Sequence, residues 1–201
     1  KAFYQRNTVL VACELIGKIL NRRSREGLCC GRIVEVEAYL FENDPACHAA
    51  RGQTRSNRAM FGPAGRVYVY PIHSRHCLNA VTEPRGVGAA VLIRAVEPTV
   101  GIELMQLRRR RENLLELARG PGRLCEALAI DRQLDHWNLT FARRLWISSA
   151  PTQNVTMDQI RMSPRIGISA GAELPLRFFL ADNRFVSGKR TGATEVQLPP
   201  H

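Results

Sequence analysis

Two acids sit inside what is otherwise a core strand, and that placement constrains the fold more than any other feature. Read as a strand, Gly31 to Leu40 sends Val34, Val36, Ala38 and Leu40 to one face and Ile33, Glu35, Glu37 and Tyr39 to the other. One face must be covered by a core. The other carries two carboxylates and a phenol, so the sheet that contains this strand brings chemistry to its own surface.

The surrounding pattern supplies partners for such a strand. Val9, Ala12, Cys13, Ile16 and Leu20 recur at helical spacing, which predicts a core helix from Thr8 to Leu20. Residues 41–65 are rich in Asn, Arg, Gly and Pro without a period and read as a long loop, a length that goes with function or mobility. Strands are expected at Arg66 to Tyr70 and Ala89 to Val96, then a helix from Val100 to Ala118, broken by Gly120-Pro121-Gly122 before a second helix at Arg123 to Ile130. Short strands follow at Arg143 to Ile147, Arg165 to Ser169, Leu176 to Leu180 and Arg184 to Ser187. With no repeat and no linker, the fold class is α+β in a single domain spanning residues 1–201.

Size and composition agree with a folded domain. At 201 residues, with 45% hydrophobic and 23% charged, the chain buries roughly 70% of its unfolded surface and needs neither disulfide nor metal to close its core. The six cysteines form no C-x-x-C pair, so free thiols in a reducing compartment are expected. There is no signal peptide pattern, and the apolar stretch from Val87 to Ile93 is too short for a bilayer, which points to an intracellular protein without a membrane partner.

The charge is more specific. Twenty-nine Lys and Arg against 18 Asp and Glu give +11, an excess that favours a polyanion, since neutralised phosphates release condensed counterions. Only Lys1, Lys18 and Lys189 are lysines, so the charge is mostly arginine, suited to bidentate phosphate contacts and poor in amines for Schiff bases.

Two carboxylates two residues apart on a strand can share a site, although solvated acidic pairs are common. Tyr39, Tyr68, Tyr70 and His48 beside a basic loop make the pair more telling, because aromatic walls, a carboxylate and positive surroundings are what excision of an extruded base requires. A zinc site from His73, His76 and Cys77, with Cys47 and His48 elsewhere, lacks a ligand spacing. No P-loop or G-x-G-x-x-G is present.

Several runs are similar to one known family. These are Arg32-Ile33-Val34-Glu35-Val36-Glu37-Ala38-Tyr39, then His48, then Arg55 through Pro63, then Tyr68-Val69-Tyr70 and Cys77-Leu78-Asn79. They continue through Val91 to Pro98, Gly120-Pro121-Gly122-Arg123-Leu124-Cys125 and Pro175-Leu176-Arg177-Phe178. In this order they resemble the alkyladenine (3-methyladenine) DNA glycosylases across nearly the whole chain.

The resemblance implies one compact domain around a curved, mostly antiparallel sheet with surrounding helices, similar to the formyltransferase C-terminal-domain-like fold. It implies no metal, no cofactor, a monomer, and duplex DNA with damaged purines as the partner, in the nucleoid or cytoplasm of a bacterium or the nucleus of a eukaryote. It assigns Glu37 as general base with Arg94 beside the catalytic water and the phosphate. Tyr39, His48 and Tyr70 become walls for a flipped base, Asn79 the obstacle to a guanine 2-amino group, and Arg123 a phosphate contact. Glu35 is expected to be structural. Between Tyr70 and Cys77 the chain departs from the family pattern: Pro71-Ile72-His73-Ser74-Arg75-His76 is one residue short, and His73 falls where a tyrosine wedge is usual, with Ile72 or Arg75 able to share that role. The same fold could also serve as a basic nucleic-acid-binding module without catalysis.

Overall fold

The computed structural model describes residues 1–150 and 155–197. Its centre is the acid-bearing strand itself, β2 (Leu28–Tyr39). Every strand pairing in the sheet is antiparallel. Along one edge β2 pairs with β5 (Ala90–Val100), followed outward by β4 (Arg75–Val81) and β3 (Val67–Ile72). Along its other edge the first half pairs with β1 (Ile19–Arg23) and the second half with β8 (Arg177–Leu180). Beyond β1 lies β6 (Leu145–Ser148); beyond β8 lie β7 (Ile160–Ser163) and β9 (Thr194–Glu195). The sheet thus forks at β2, and the register against β5 shifts between Ile33 and Val36, at the height of Glu35. A bulge there re-aims side chains at the point where three strands meet.

Three short α-helices among the described residues close the core. α1 (Thr8–Leu15) is capped by the Asn7 side chain and is shorter than the helix expected from the apolar spacing. Gly17, at φ +86°, turns the chain, and residues 19 and 20 belong to β1 instead. A Cβ at Gly17 would lie 2.5 Å from the Val155 side chain, so both the turn and the close approach need glycine. α2 (Ile102–Arg109) is likewise shorter than expected, because β5 runs on to Val100 before Gly101 (φ +72°) turns it, its backbone packed where a Cβ would lie 2.4 Å from the Leu28 carbonyl. α3 (Pro121–Ala127) starts at the Gly-Pro signal, with proline in its first turn. The strands expected at Arg165 to Ser169 and Arg184 to Ser187 do not form. Both segments are irregular chain that folds over β2, where Ile166 and Ser187 donate backbone N–H groups to its carboxylates. The sequence pattern also missed β4, whose Arg and His at the start hide its alternation.

The loop of residues 41–65 has a small core of its own. Cys47, Ala49, Ala59, Met60 and Phe61 pack against Tyr68, Val81 and Ala90, with Tyr39 and Tyr70 at the edge. Asn57 is buried inside it, donating to the carbonyls of His48 (2.8 Å) and Gly52 (3.0 Å) while accepting from Thr54 N–H (2.6 Å). A segment whose one regular piece is the 3-10 turn Arg58–Phe61 is thereby anchored beside β3, and His48 is anchored with it.

Candidate active site

Glu35 and Glu37 both have zero exposure, so the polar face expected for this strand is covered rather than solvated. Isolated buried carboxylates are costly, and each of these is satisfied by several donors. Glu35 Oε1 accepts from Arg177 Nε (2.7 Å) and Arg94 Nε (3.1 Å), and its Oε2 accepts from Ser187 N–H (2.6 Å). Glu37 Oε1 accepts from Ile166 N–H (2.8 Å) and lies 3.1 Å from an arm of Arg94. The Tyr39 hydroxyl donates to Glu37 Oε2 at 2.9 Å. A carboxylate offers about four acceptor positions. Among the described residues the Tyr39 hydroxyl is the one donor to Glu37 Oε2, which leaves an acceptor position open on that oxygen.

The two acids therefore differ in kind. Glu35 is locked among buried guanidiniums and backbone, whereas Glu37 keeps an acceptor position beside a phenol. Arg94 spans both. Burial pulls its guanidinium pKa down, but Glu37 and Glu35 together lift it above its ordinary value, so it stays charged. A third pair completes the cluster: Arg165 grips Asp44 with both arms, at 2.7 and 2.6 Å, and neither side chain is exposed. Three buried carboxylates (Glu35, Glu37, Asp44) thus face three buried guanidiniums (Arg94, Arg165, Arg177), and the cluster is neutral as a set.

The aromatic residues stand on the next elements. Tyr39 ends β2, half-buried, with the Arg165 guanidinium 4.6 Å from its ring centroid. Burial, more than the neighbouring Glu37, raises the Tyr39 phenol well above its ordinary pKa, so it is a donor and not a phenolate. Tyr70, on β3, meets the His48 ring edge-on at 4.6 Å and lies 5.5 Å from Tyr68. His48 Nδ1 is 2.9 Å from the Tyr68 hydroxyl, and the packing around the ring lowers its pKa below the ordinary 6.5, leaving a neutral imidazole at neutral pH. The rings of His48, Tyr68 and Tyr70 border a cleft of about 570 Å³ between the 45–57 loop, β3 and Arg132; Glu37, Tyr39, Asn79 and Arg94 are not among its lining residues. Asn79, on β4 and buried, donates to the Tyr68 carbonyl at 3.0 Å, which fixes its amide plane.

The residues expected at the DNA face lie outside this buried group. β3 and β4 form a hairpin whose two-residue turn is His73-Ser74, with His73 at φ +51°. Ile72, 43% exposed, shares a strand face with Tyr70, two residues before it. Arg75 is drawn back toward α3, its Nε 3.4 Å from Glu126, which also pairs with Arg109. Arg123, on α3, is exposed and makes no side-chain hydrogen bond or ion pair among the described residues.

Sequence reasoning singled out Glu37, Tyr39, His48, Tyr70, Asn79 and Arg94, and the fold brings Glu37, Tyr39 and Arg94 into direct contact and His48 against Tyr70. It missed Arg165, Ile166, Asn57 and the role of Arg177. A usable signal existed: two acids on a core strand need buried cations, and arginines flanking predicted short strands were the available source. The cysteines are all buried and unpaired; burial pushes the Cys47 thiol, beside His48, up to about 11, so it is not a thiolate nucleophile. Among the described residues no group of three His, Cys, Asp or Glu side chains is arranged to hold a metal ion, and no helix is long and apolar enough to cross a membrane.

Comparison with known proteins gives a consistent picture. The model of the methylpurine-DNA glycosylase family matches residues 2–184. The chain is 49% identical over 187 residues to a protein of Methanoculleus marisnigri named "Putative 3-methyladenine DNA glycosylase", covering 92% of this chain and 96% of that one. Proteins with the same name from Carboxydothermus hydrogenoformans and Rhodopirellula baltica are 44% and 45% identical, covering 94% and 92% of this chain and 98% and 81% of theirs.

Proposed function

The chain belongs to the methylpurine-DNA glycosylase family and is a DNA glycosylase for alkylated bases, and from that premise we propose that it is a monofunctional enzyme that flips a damaged purine out of duplex DNA and hydrolyses its N-glycosidic bond with water activated by Glu37. The observation that carries this reading is the open acceptor position on Glu37 Oε2, beside the Tyr39 hydroxyl. A purine leaves with its bonding electrons and the sugar becomes oxocarbenium-like. An anion near the anomeric carbon stabilises that charge and takes a proton from the attacking water. Because Glu37 is wholly shielded in the free protein, the water is one enclosed with the flipped nucleotide rather than drawn from bulk.

Tyr39, His48 and Tyr70 stack on the base, and a neutral His48 adds no repulsion to a lesion that is already cationic. Stacking is less selective than edge recognition, which suits 3-methyladenine, 7-methylguanine, hypoxanthine and ethenoadenine alike. Asn79, with its amide pinned to Tyr68, excludes the guanine 2-amino group. The hairpin tip at Ile72-His73 enters the space left by the flipped nucleotide, and Arg123 contacts a phosphate. Arg75, about half exposed beside Glu126, contacts DNA from the same hairpin.

The test is a duplex with one hypoxanthine, incubated with the protein and a chelator, and strand breaks compared before and after hot alkali. Breaks only after alkali fit hydrolysis to an abasic site. Breaks without alkali would mean a lyase or nuclease, and none at all a binding protein.

A further inference from the structure

Among the described residues five arginines are buried, and Arg165 differs from the rest in what it leaves unsatisfied. Its Nη1 donates to Asp44 (2.7 Å) and to the Ala38 carbonyl (3.0 Å), and its Nη2 to Asp44 (2.6 Å). Its Nε–H is buried and has no hydrogen-bond partner among the described residues. What lies against the guanidinium is the Tyr39 ring, with 4.6 Å between the guanidinium carbon and the ring centroid. A buried ion pair with an unsatisfied donor is a weak stabiliser compared with apolar packing of the same volume. Its value has to be sought in what it does to Tyr39.

A ring has two π faces. A cation on one of them draws electron density toward itself and leaves the other face a poorer partner for a second cation, while stacking with a neutral purine is little weakened. We infer that Arg165 is a positioning residue that sets the charge preference of the base pocket through Tyr39, holding back cationic lesions relative to neutral ones. The inference rests on Tyr39 being a wall of that pocket, as proposed above. Asp44 tempers the field and holds the guanidinium plane; its carboxylate also accepts from the N–H groups of Leu40 and Ala46, so the end of β2 and the start of the loop are fixed to the same pair. The next residue, Ile166, donates to Glu37 at 2.8 Å. Wall and general base are therefore set by one dipeptide.

The experiment compares single-turnover excision of 7-methylguanine, a cation, and hypoxanthine, which is neutral, from the same duplex context. The variants are Arg165→Lys, the charge-neutral double Arg165→Met with Asp44→Asn, and Asp44→Asn alone, each checked by thermal melting. The double variant should raise the 7-methylguanine to hypoxanthine ratio by about two- to fivefold, the range of an exposed cation–π contact. Arg165→Lys should keep the ratio near that of the parent while slowing both reactions, because the plane that orients Tyr39 is lost. Asp44→Asn leaves the cation uncompensated and should move the ratio the other way, which keeps the inference testable if the double variant does not fold. A purely structural Arg165 would lower both rates together and leave the ratio alone. An unchanged ratio in a folded, active double variant, or in Asp44→Asn, overturns the inference and leaves the proposed function standing. Failure of the parent to excise either base overturns both.

Discussion

Replacing Glu35 by Gln separates its role from that of Glu37 more sharply than any other single change. The side chain is fully buried and takes three hydrogen bonds, two from guanidiniums on Oε1 and one from Ser187 N–H on Oε2. Glutamine has one acceptor oxygen. Whichever way its amide is turned, an NH2 group then faces at least one donor, either Ser187 N–H or the two arginines. The cluster also gains a net positive charge, with Arg177, 1% exposed, losing its carboxylate. Breaking a buried pair by removing one partner costs about 3–5 kcal/mol. For a chain of this size each kcal/mol lowers Tm by about 2–4 °C, so a fall of roughly 6–20 °C is expected. Circular dichroism melts would measure it, alongside single-turnover excision at a temperature where the variant is folded. The expectation there is activity within about tenfold of the parent, because Glu37 keeps Ile166, Tyr39 and Arg94. An unaltered Tm with excision abolished would refute the reasoning and exchange the roles of the two acids.

Glu37→Gln should do the opposite, lowering single-turnover excision by about a hundredfold or more with duplex affinity nearly unchanged in a titration. Near-normal turnover would remove Glu37 from the chemistry. Asn79→Ser should raise excision of guanine-derived lesions relative to hypoxanthine, read as a ratio of kcat/KM values; a fixed ratio would show that Asn79 does not guard the pocket. His48 is neutral at pH 7 and gains charge only below its ordinary 6.5, so the 7-methylguanine to hypoxanthine ratio should fall as pH is lowered from 6.5 to 5. That fall should be missing from His48→Gln, and its persistence would clear His48 of responsibility. Arg123→Ala should flatten the log-log salt dependence of duplex binding by about one unit, and a slope equal to the parent's would mean that Arg123 points away from DNA.

What was legible in the chain follows the range of the physics. The alternation around Glu35 and Glu37 is local, as are the Gly-Pro start of α3 and the apolar spacing of α1, and all three appear in the fold. Element ends were less legible. Apolar residues continue past Leu15 into β1, and only the steric demands of Val155 on Gly17, far along the chain, say where the helix stops. Arg165 and Arg177 were read as strand residues because nothing local distinguishes an arginine that faces water from one that meets a carboxylate more than a hundred residues away. The hairpin was half-seen. Its register, which puts Ile72 on the face of Tyr70 and His73 in the turn, depends on β4, and that strand was hidden by its own polar start.

The neutrality of the buried cluster bears on how such a protein can change over generations. Its surface arginines act additively and at a distance, so each can be lost or gained singly at small effect. The six charges of the cluster are different: changing one alone strands its partner, and a tolerated path needs two substitutions at once or an intermediate that survives the first. The surface therefore drifts in single steps while the interior moves in pairs, and the surface charge is free to be retuned without the buried carboxylates being touched.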